Sequence, residues 1–173
     1  MLRSAQLLRF LPVICAALFL SGCAGYQLGT GTNLKFSTLF IAPVSSETTI
    51  PQAQALVTAQ LREAFGRDGR VTLVNSPEAA DAVLQVVLTG YDRAIAVALP
   101  NDTGLARRFN VTLKASATLT DNRSKQAYFT KRALTVQRGV FTDSGLIPSE
   151  YQALPLLAAQ LANEATHAVL DTW

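Results

Sequence analysis

A single thiol set behind an apolar run carries the most specific chemistry in this 173-residue sequence. Cys23 follows Leu20-Ser21-Gly22, and upstream lie Arg3, Arg9 and an apolar stretch of 11 residues from Phe10 to Leu20. That length suits the core of a secretory signal and falls short of the roughly 20 residues a helix needs to cross a bilayer. Small residues leading straight into a cysteine have the form of a lipobox. The Cys23 sulfur would take a diacylglycerol, the chain would be cut before it, and the new amino group would take a further acyl chain. Each buried methylene contributes about 0.8 kcal/mol, so several acyl chains anchor a protein almost permanently. Residues 1–22 then read as a removed signal peptide, and Ala24, in place of Asp, favours the outer membrane. Cys15 leaves with the signal and Cys23 is blocked by lipid, so no thiol remains for a disulfide.

No catalytic constellation accompanies this thiol. His167 is the only histidine, and a lone histidine does not make a metal site; it reads as a surface residue of a helix. Asp121 and Asp143 fall in predicted turns, where Asp is expected for its own backbone hydrogen bonds. Gly29-Thr30-Gly31 lacks the strand and helix of a dinucleotide fingerprint, and neither a G-x-S-x-G elbow nor a phosphate loop occurs. The N-x-[ST] triplets at Asn101, Asn110 and Asn122 have no meaning in a bacterial lipoprotein. No metal, no cofactor beyond the covalent lipid and no enzymatic activity are expected.

Charge gives the one further candidate site. Without the signal peptide the chain carries 13 basic and 12 acidic residues. Residues 93–138 nevertheless hold nine Lys and Arg against Asp102 and Asp121. Such a segment fits an anionic partner, or equally a sheet edge kept soluble by cations. Nucleic acid is not expected for an exported protein; phosphorylated lipid head groups and sugars are the abundant anions there. Arg108, Lys114, Lys131 and Arg132 are the candidate phosphate contacts, chosen from alternation and charge.

The elements that must position these residues follow from hydrophobic periodicity. Ala24 to Lys35 is rich in Gly, Thr and Asn and reads as a tether. Leu39–Val44 is a short apolar strand. Thr49-Ile50-Pro51-Gln52 has the form of a capping box, and Ala53, Val57, Leu61, Ala64 and Phe65 then share a helix face that Gly66 and Gly69 end. Val71–Val74 is a second short strand. Leu84, Val86 and Leu88 alternate in a third, and the period shifts after Gly90, which predicts a bulge.

The clearest strand places Phe109, Val111, Leu113, Ala115, Ala117 and Leu119 on one face and Arg108, Thr112, Lys114, Ser116 and Thr118 on the other. A hairpin at Asp121–Lys125 leads into Gln126–Arg138, where Phe129 and Leu134 are out of phase and a second bulge is expected. Ser149-Glu150-Tyr151-Gln152 is another capping-box pattern ahead of the last helix. That helix carries the stripe Tyr151, Leu154, Leu157, Ala158, Leu161, Ala165 and Ala168, with Pro155 either starting or kinking it.

The pattern predicts an α+β two-layer sandwich, two helices on one face of a mixed, mostly antiparallel sheet of four to five strands. The opposite face, carrying Arg108 and Lys114, stays open. Residues 1–22 are the signal, 23–37 the lipidated terminus and tether, and 38–173 a single domain.

Gly22-Cys23-Ala24-Gly25-Tyr26-Gln27-Leu28-Gly29, Thr38-Leu39-Phe40-Ile41-Ala42-Pro43-Val44, Arg70–Val74 and the strand start Ala80-Asp81-Ala82-Val83-Leu84 together resemble the lipopolysaccharide-assembly lipoproteins (LptE). The resemblance covers about residues 20–173 in element order. It implies an outer-membrane lipoprotein, held by its lipid on the periplasmic side. Such a protein would sit inside a large β-barrel as plug and assembly factor and bind lipopolysaccharide through basic residues on the sheet side. Two other classes stay open: an accessory lipoprotein of a different envelope transport or secretion complex, acting by protein contacts only, and a hydrolase with a diffuse site.

Overall fold

The alternation of one long strand decides the architecture. In this computed structural model, which describes residues 34–50, 52–95, 107–142 and 148–171, β5 spans Arg107–Asp121. Its odd residues from Phe109 to Leu119 are all buried, and its even residues from Asn110 to Thr120 are not. One face therefore packs against a second layer and the other stays wet, as period two requires.

β5 lies between two antiparallel partners, β4 (Ala82–Ile95) and β6 (Ala127–Thr142). On the far side of β4 runs β1 (Thr38–Ile41) in parallel, and beyond it β3 (Thr72–Val74), also parallel. The sheet order is β3-β1-β4-β5-β6. The parallel β1–β3 pair is joined by helix α1 (Ala53–Asp68), a strand–helix–strand crossover. One strand exceeds the expected four to five. Pro43 has no N–H for the ladder, and after it the two-residue β2 (Ser45–Ser46) resumes parallel pairing with β4 at Val87 and Leu88.

α1 and α2 (Pro148–Leu170) cover the same face of the sheet, α2 over β5 and β6, α1 over β1 to β3. α1 buries Ala53, Val57, Leu61, Ala64 and Phe65, the five residues its sequence period selects. α2 buries Leu154, Leu157, Ala158, Leu161, Ala162 and Ala165. These meet Leu84, Leu88, Val111, Leu113 and Leu119 in one continuous core.

Helix ends depart from the expectations. The Thr49–Gln52 box does not form. α1 begins at Ala53 with Gln52 as its N-cap and no side-chain cap bond, while Thr48 turns back onto Ser46. Gly66 is an interior residue of α1 rather than its stop. Gly69, at φ 74°, ends the helix and donates its N–H to the Phe65 carbonyl. That left-handed conformation suits glycine. α2 starts at Pro148, ahead of the expected Ser149 cap, and runs on through Pro155. Buried residues on both sides of Pro155 offset its cost of about 3 kcal/mol.

Both predicted bulges are present. One falls between Leu88 and Gly90. The other lies on β6, where Ala117 pairs Arg132 but Leu119 pairs Phe129, leaving Thr130 and Lys131 against Thr118. Lys131 takes φ 48° there and donates its N–H to the Thr118 hydroxyl.

Candidate functional site

Four cations were expected as phosphate contacts, Arg108 and Lys114 of them on the open face, and the structure divides the four. Lys114 lies on that face, in the even register of β5, but it is not a free charge. Its ammonium sits 2.7 Å from the Asp92 carboxylate on β4. The bulge after Leu88 puts Gly90, rather than a side chain, opposite Lys114, and the lysine stem crosses it: a Cβ on Gly90 would meet Lys114 Cδ at 3.4 Å. Asp92 is one residue upstream of the basic segment as counted from sequence, which is why that count did not show the pair.

Arg132 is on the other face. The second bulge brings it into register with buried Ala117, on the helix side. There its guanidinium donates to the Ala168 carbonyl at 2.6 Å and lies 4.1 Å from the centroid of the Phe129 ring. A cation at carbonyls near the end of a helix meets the negative end of the helix dipole, so Arg132 serves the joint between sheet and α2. Lys131 is exposed at the bulge itself. Arg108 is in β5 opposite Phe141; its side chain lies outside the described residues, as do Cys23 and the side chains of Ser149, Glu150 and Tyr151, while Gln152 is exposed.

Other cations of the segment also leave the open face. Arg93 pairs in register with Val111 on the helix side and stacks 4.4 Å over Phe109. Arg138 is the register partner of Val111 from the opposite strand. Around the Lys114–Asp92 pair the open face presents uncharged side chains: Val83, Gln85 and Val87 from β4, Thr112, Ser116, Thr118 and Thr120 from β5, Ala133, Thr135 and Gln137 from β6. Gln137 donates across the strands to the Thr112 hydroxyl at 3.2 Å.

Two polar nodes that charge counting missed hold the frame. Asp81 Oδ2 accepts from the N–H and hydroxyl of both Ser37 and Thr38, at 2.9–3.2 Å, and Oδ1 accepts from Arg123 at 3.0 Å. The hydroxyls of Ser37 and Thr38, then their amides, hold its carboxyl well below the usual carboxylate range. Asn122 completes this corner by donating to the Pro77 and Ala80 carbonyls. In the adjoining turn Asp121 accepts from the amides of Arg123 and Ser124 and from Tyr128 Oη at 2.8 Å. Its carboxyl is lowered, chiefly by the Ser124 amide, while desolvation and then Asp121 push the Tyr128 phenol up to about 12.

At the exit of α1, Arg70 bridges Asp68 at 2.7 Å and Asp171 at 2.6 Å, tying it to the exit of α2. Both carboxyls are lowered, Asp68 chiefly by Arg70 and Asp171 chiefly by His167, whose Nδ1 is 2.6 Å away. His167 is mostly exposed, as a helix-surface residue should be. Among the described residues no cluster of three or more His, Cys, Asp or Glu could hold a metal ion, and no helix is long and apolar enough to cross a membrane.

Comparison with known proteins gives a family and a fold. A family model described as LptE, lipopolysaccharide-assembly, matches residues 36–169. No curated protein matches the chain. Among solved structures, a Xanthomonas campestris protein is 14% identical, with 79% of this chain and 85% of that one covered and a TM-score of 0.58. A hypothetical protein from Chlamydia trachomatis is 12% identical, with 77% and 95% covered and a TM-score of 0.54. An uncharacterized lipoprotein B from Nitrosomonas europaea is 16% identical, with 84% and 88% covered and a TM-score of 0.49. At such identities the likeness to the first two is one of fold.

Proposed function

The chain belongs to the lipopolysaccharide-assembly family, LptE, and we propose that it is the outer-membrane lipoprotein that plugs and helps assemble a β-barrel lipopolysaccharide translocon. Family membership makes it an envelope lipoprotein of lipopolysaccharide assembly and transport, a role without catalysis. The finer reading is that a lipid on Cys23 holds it to the periplasmic side of the outer membrane, where the domain occupies the barrel and touches lipopolysaccharide in passage.

The observation that carries the reading is the sheet face that no element among the described residues covers. The family match spans both layers, yet α1 and α2 lie on one side only. The opposite face is wide and, around the Lys114–Asp92 pair, its uncharged side chains suit packing against a wall. Lys131, with Lys114 in exchange for its bond to Asp92 and Arg108 further along β5, remains the proposed set of phosphate contacts. Arg132 drops out as a direct contact, because its guanidinium is engaged with Ala168 and Phe129.

Mild detergent extraction of the lipidated, full-length protein, followed by pull-down and identification of its partner, tests the reading. Recovery of an outer-membrane barrel that moves lipopolysaccharide is expected. Recovery of a different envelope complex instead would overturn it. Lys114→Glu, on β5 and away from the β6 edge, should weaken lipopolysaccharide binding and leave barrel recovery intact.

A further inference from the structure

β6 ends the sheet: it pairs with β5 on one side and, among the described residues, with no strand on the other. The direction of its backbone groups follows from two bonds at the hairpin. The Asp121 N–H donates toward β6, to the Gln126 carbonyl, and the Asn122 N–H donates toward β4, to the Asp81 carbonyl. Backbone groups alternate sides along a strand, so the odd residues of β5 face β6, and their partners Leu134, Val136 and Arg138 face back. Ala133, Thr135, Gln137 and Gly139 therefore turn their N–H and C=O groups outward, and all four are exposed.

Long free edges are usually blunted by bulges and charges. β6 does this only at its hairpin end, where Lys131 at φ 48° breaks the ladder and Arg132 follows. From Ala133 to Gly139 the register is unbroken, the outward-facing residues are uncharged and no proline intervenes. That stretch of seven residues is about the length of an ordinary strand. Charge selects what fits it. β6 carries Lys131, Arg132 and Arg138 and no acidic residue. A second copy adding β6 to β6 would set cations against cations, whereas an extended segment bearing Asp or Glu meets complementary charge.

We infer that the Ala133–Gly139 edge of β6 receives an extended, acidic segment of a partner chain, which adds to the sheet as a further strand. The identity of that partner rests on the reading above, in which it is the barrel protein. Main-chain bonds along the edge give the affinity, and Lys131 and Arg138 at its two ends set the register.

A photo-crosslinking residue at Thr135 of the lipidated, full-length protein, with Gln160 on α2 as control position, tests this in cells. Thr135 should crosslink to an Asp- or Glu-bearing stretch of the partner and Gln160 should not. Gln137→Pro removes one outward N–H without touching the β5 ladder and should lower partner recovery by about five- to tenfold. Circular dichroism checks its fold; should it unfold, Arg138→Glu gives the reading instead, with a severalfold loss expected. Barrel recovery without a Thr135 crosslink, undiminished recovery by both variants, or a crosslink to a second copy would overturn the inference while leaving the proposed function standing. A Thr135 crosslink to an acidic segment of some other envelope protein would do the reverse. If no barrel is recovered and Thr135 crosslinks nothing, both fall.

Discussion

Asp81 and Thr38 bind each other in both directions. The Thr38 N–H and hydroxyl both donate to Asp81 Oδ2, at 3.1 and 2.9 Å, while the Asp81 N–H donates to the Thr38 hydroxyl oxygen at 2.8 Å. The carboxylate thereby pins the first residue of β1 to the chain entering β4, so that Leu39 pairs Ala82 and not a neighbour. Asp81→Ala strands these donors and should cost about 2–4 kcal/mol in denaturant unfolding. Asp81→Asn, which keeps the shape but not the charge, should lose less. Equal stability of Asp81→Ala and the parent would show that β1 is held by packing alone.

Stability should fall on the acid side. Asp68, Asp81, Asp121 and Asp171 all have carboxyls held below their ordinary value in the folded chain. Groups lowered in this way contribute stability that is complete well above the unfolded value of about 3.9 and is lost as pH drops past it. Tyr128 has the opposite sign. Its folded pKa of about 12 exceeds the ordinary value, so its contribution is complete below pH 10 and is lost as pH rises toward 12. Melting temperature against pH should therefore drop at both ends, and Tyr128→Phe should remove part of the alkaline drop only.

Leu113→Ala should cost about 2–5 kcal/mol, since Leu113 is fully buried beneath the helices. Its neighbour Thr112 faces the other way and has only the Gln137 bond to lose, so Thr112→Ala should cost about 1 kcal/mol or less. Comparable losses in urea titrations would mean that the sheet is not two-faced as described.

Arg132 and Lys131 are adjacent but should behave differently. Arg132→Ala gives up the Ala168 bond and the Phe129 stacking, for a loss of about 1–2 kcal/mol. Lys131 holds a positive φ that glycine adopts without strain. Lys131→Gly should be neutral or stabilising by up to about 1 kcal/mol, while lowering lipopolysaccharide binding if Lys131 is a phosphate contact. Thermal melts and binding to purified lipopolysaccharide separate the two effects.

Cys23→Ala should leave the chain uncleaved and unlabelled by radioactive palmitate. Labelling of that variant would place the lipid elsewhere.

The period of the apolar residues determined the layers. Six alternating positions in β5 and the three-and-four spacing in α1 leave no other way to bury them, so the two-layer sandwich and the shared helix face were legible without coordinates. Both bulges were legible too, because an extra residue in one strand shifts the phase of everything after it. Gly90 marked one, and the misfit of Phe129 with Leu134 the other. Helix starts were not legible. A capping box is a local preference worth about 1 kcal/mol, and the packing of Val57, Leu61 and Phe65 fixed where α1 begins regardless of Thr49.

The candidate site shows the same division more sharply. A charge count along the chain found the cations but could not assign their partners, because partners are neighbours across strands. Asp92 reaches Lys114 only through the β4–β5 register, and Arg132 reaches Ala168 only because a bulge turns it to the helix side. Residue type and periodicity were set along the chain; register between strands distant in the chain decided which charges cancel, which brace a helix end and which stay exposed.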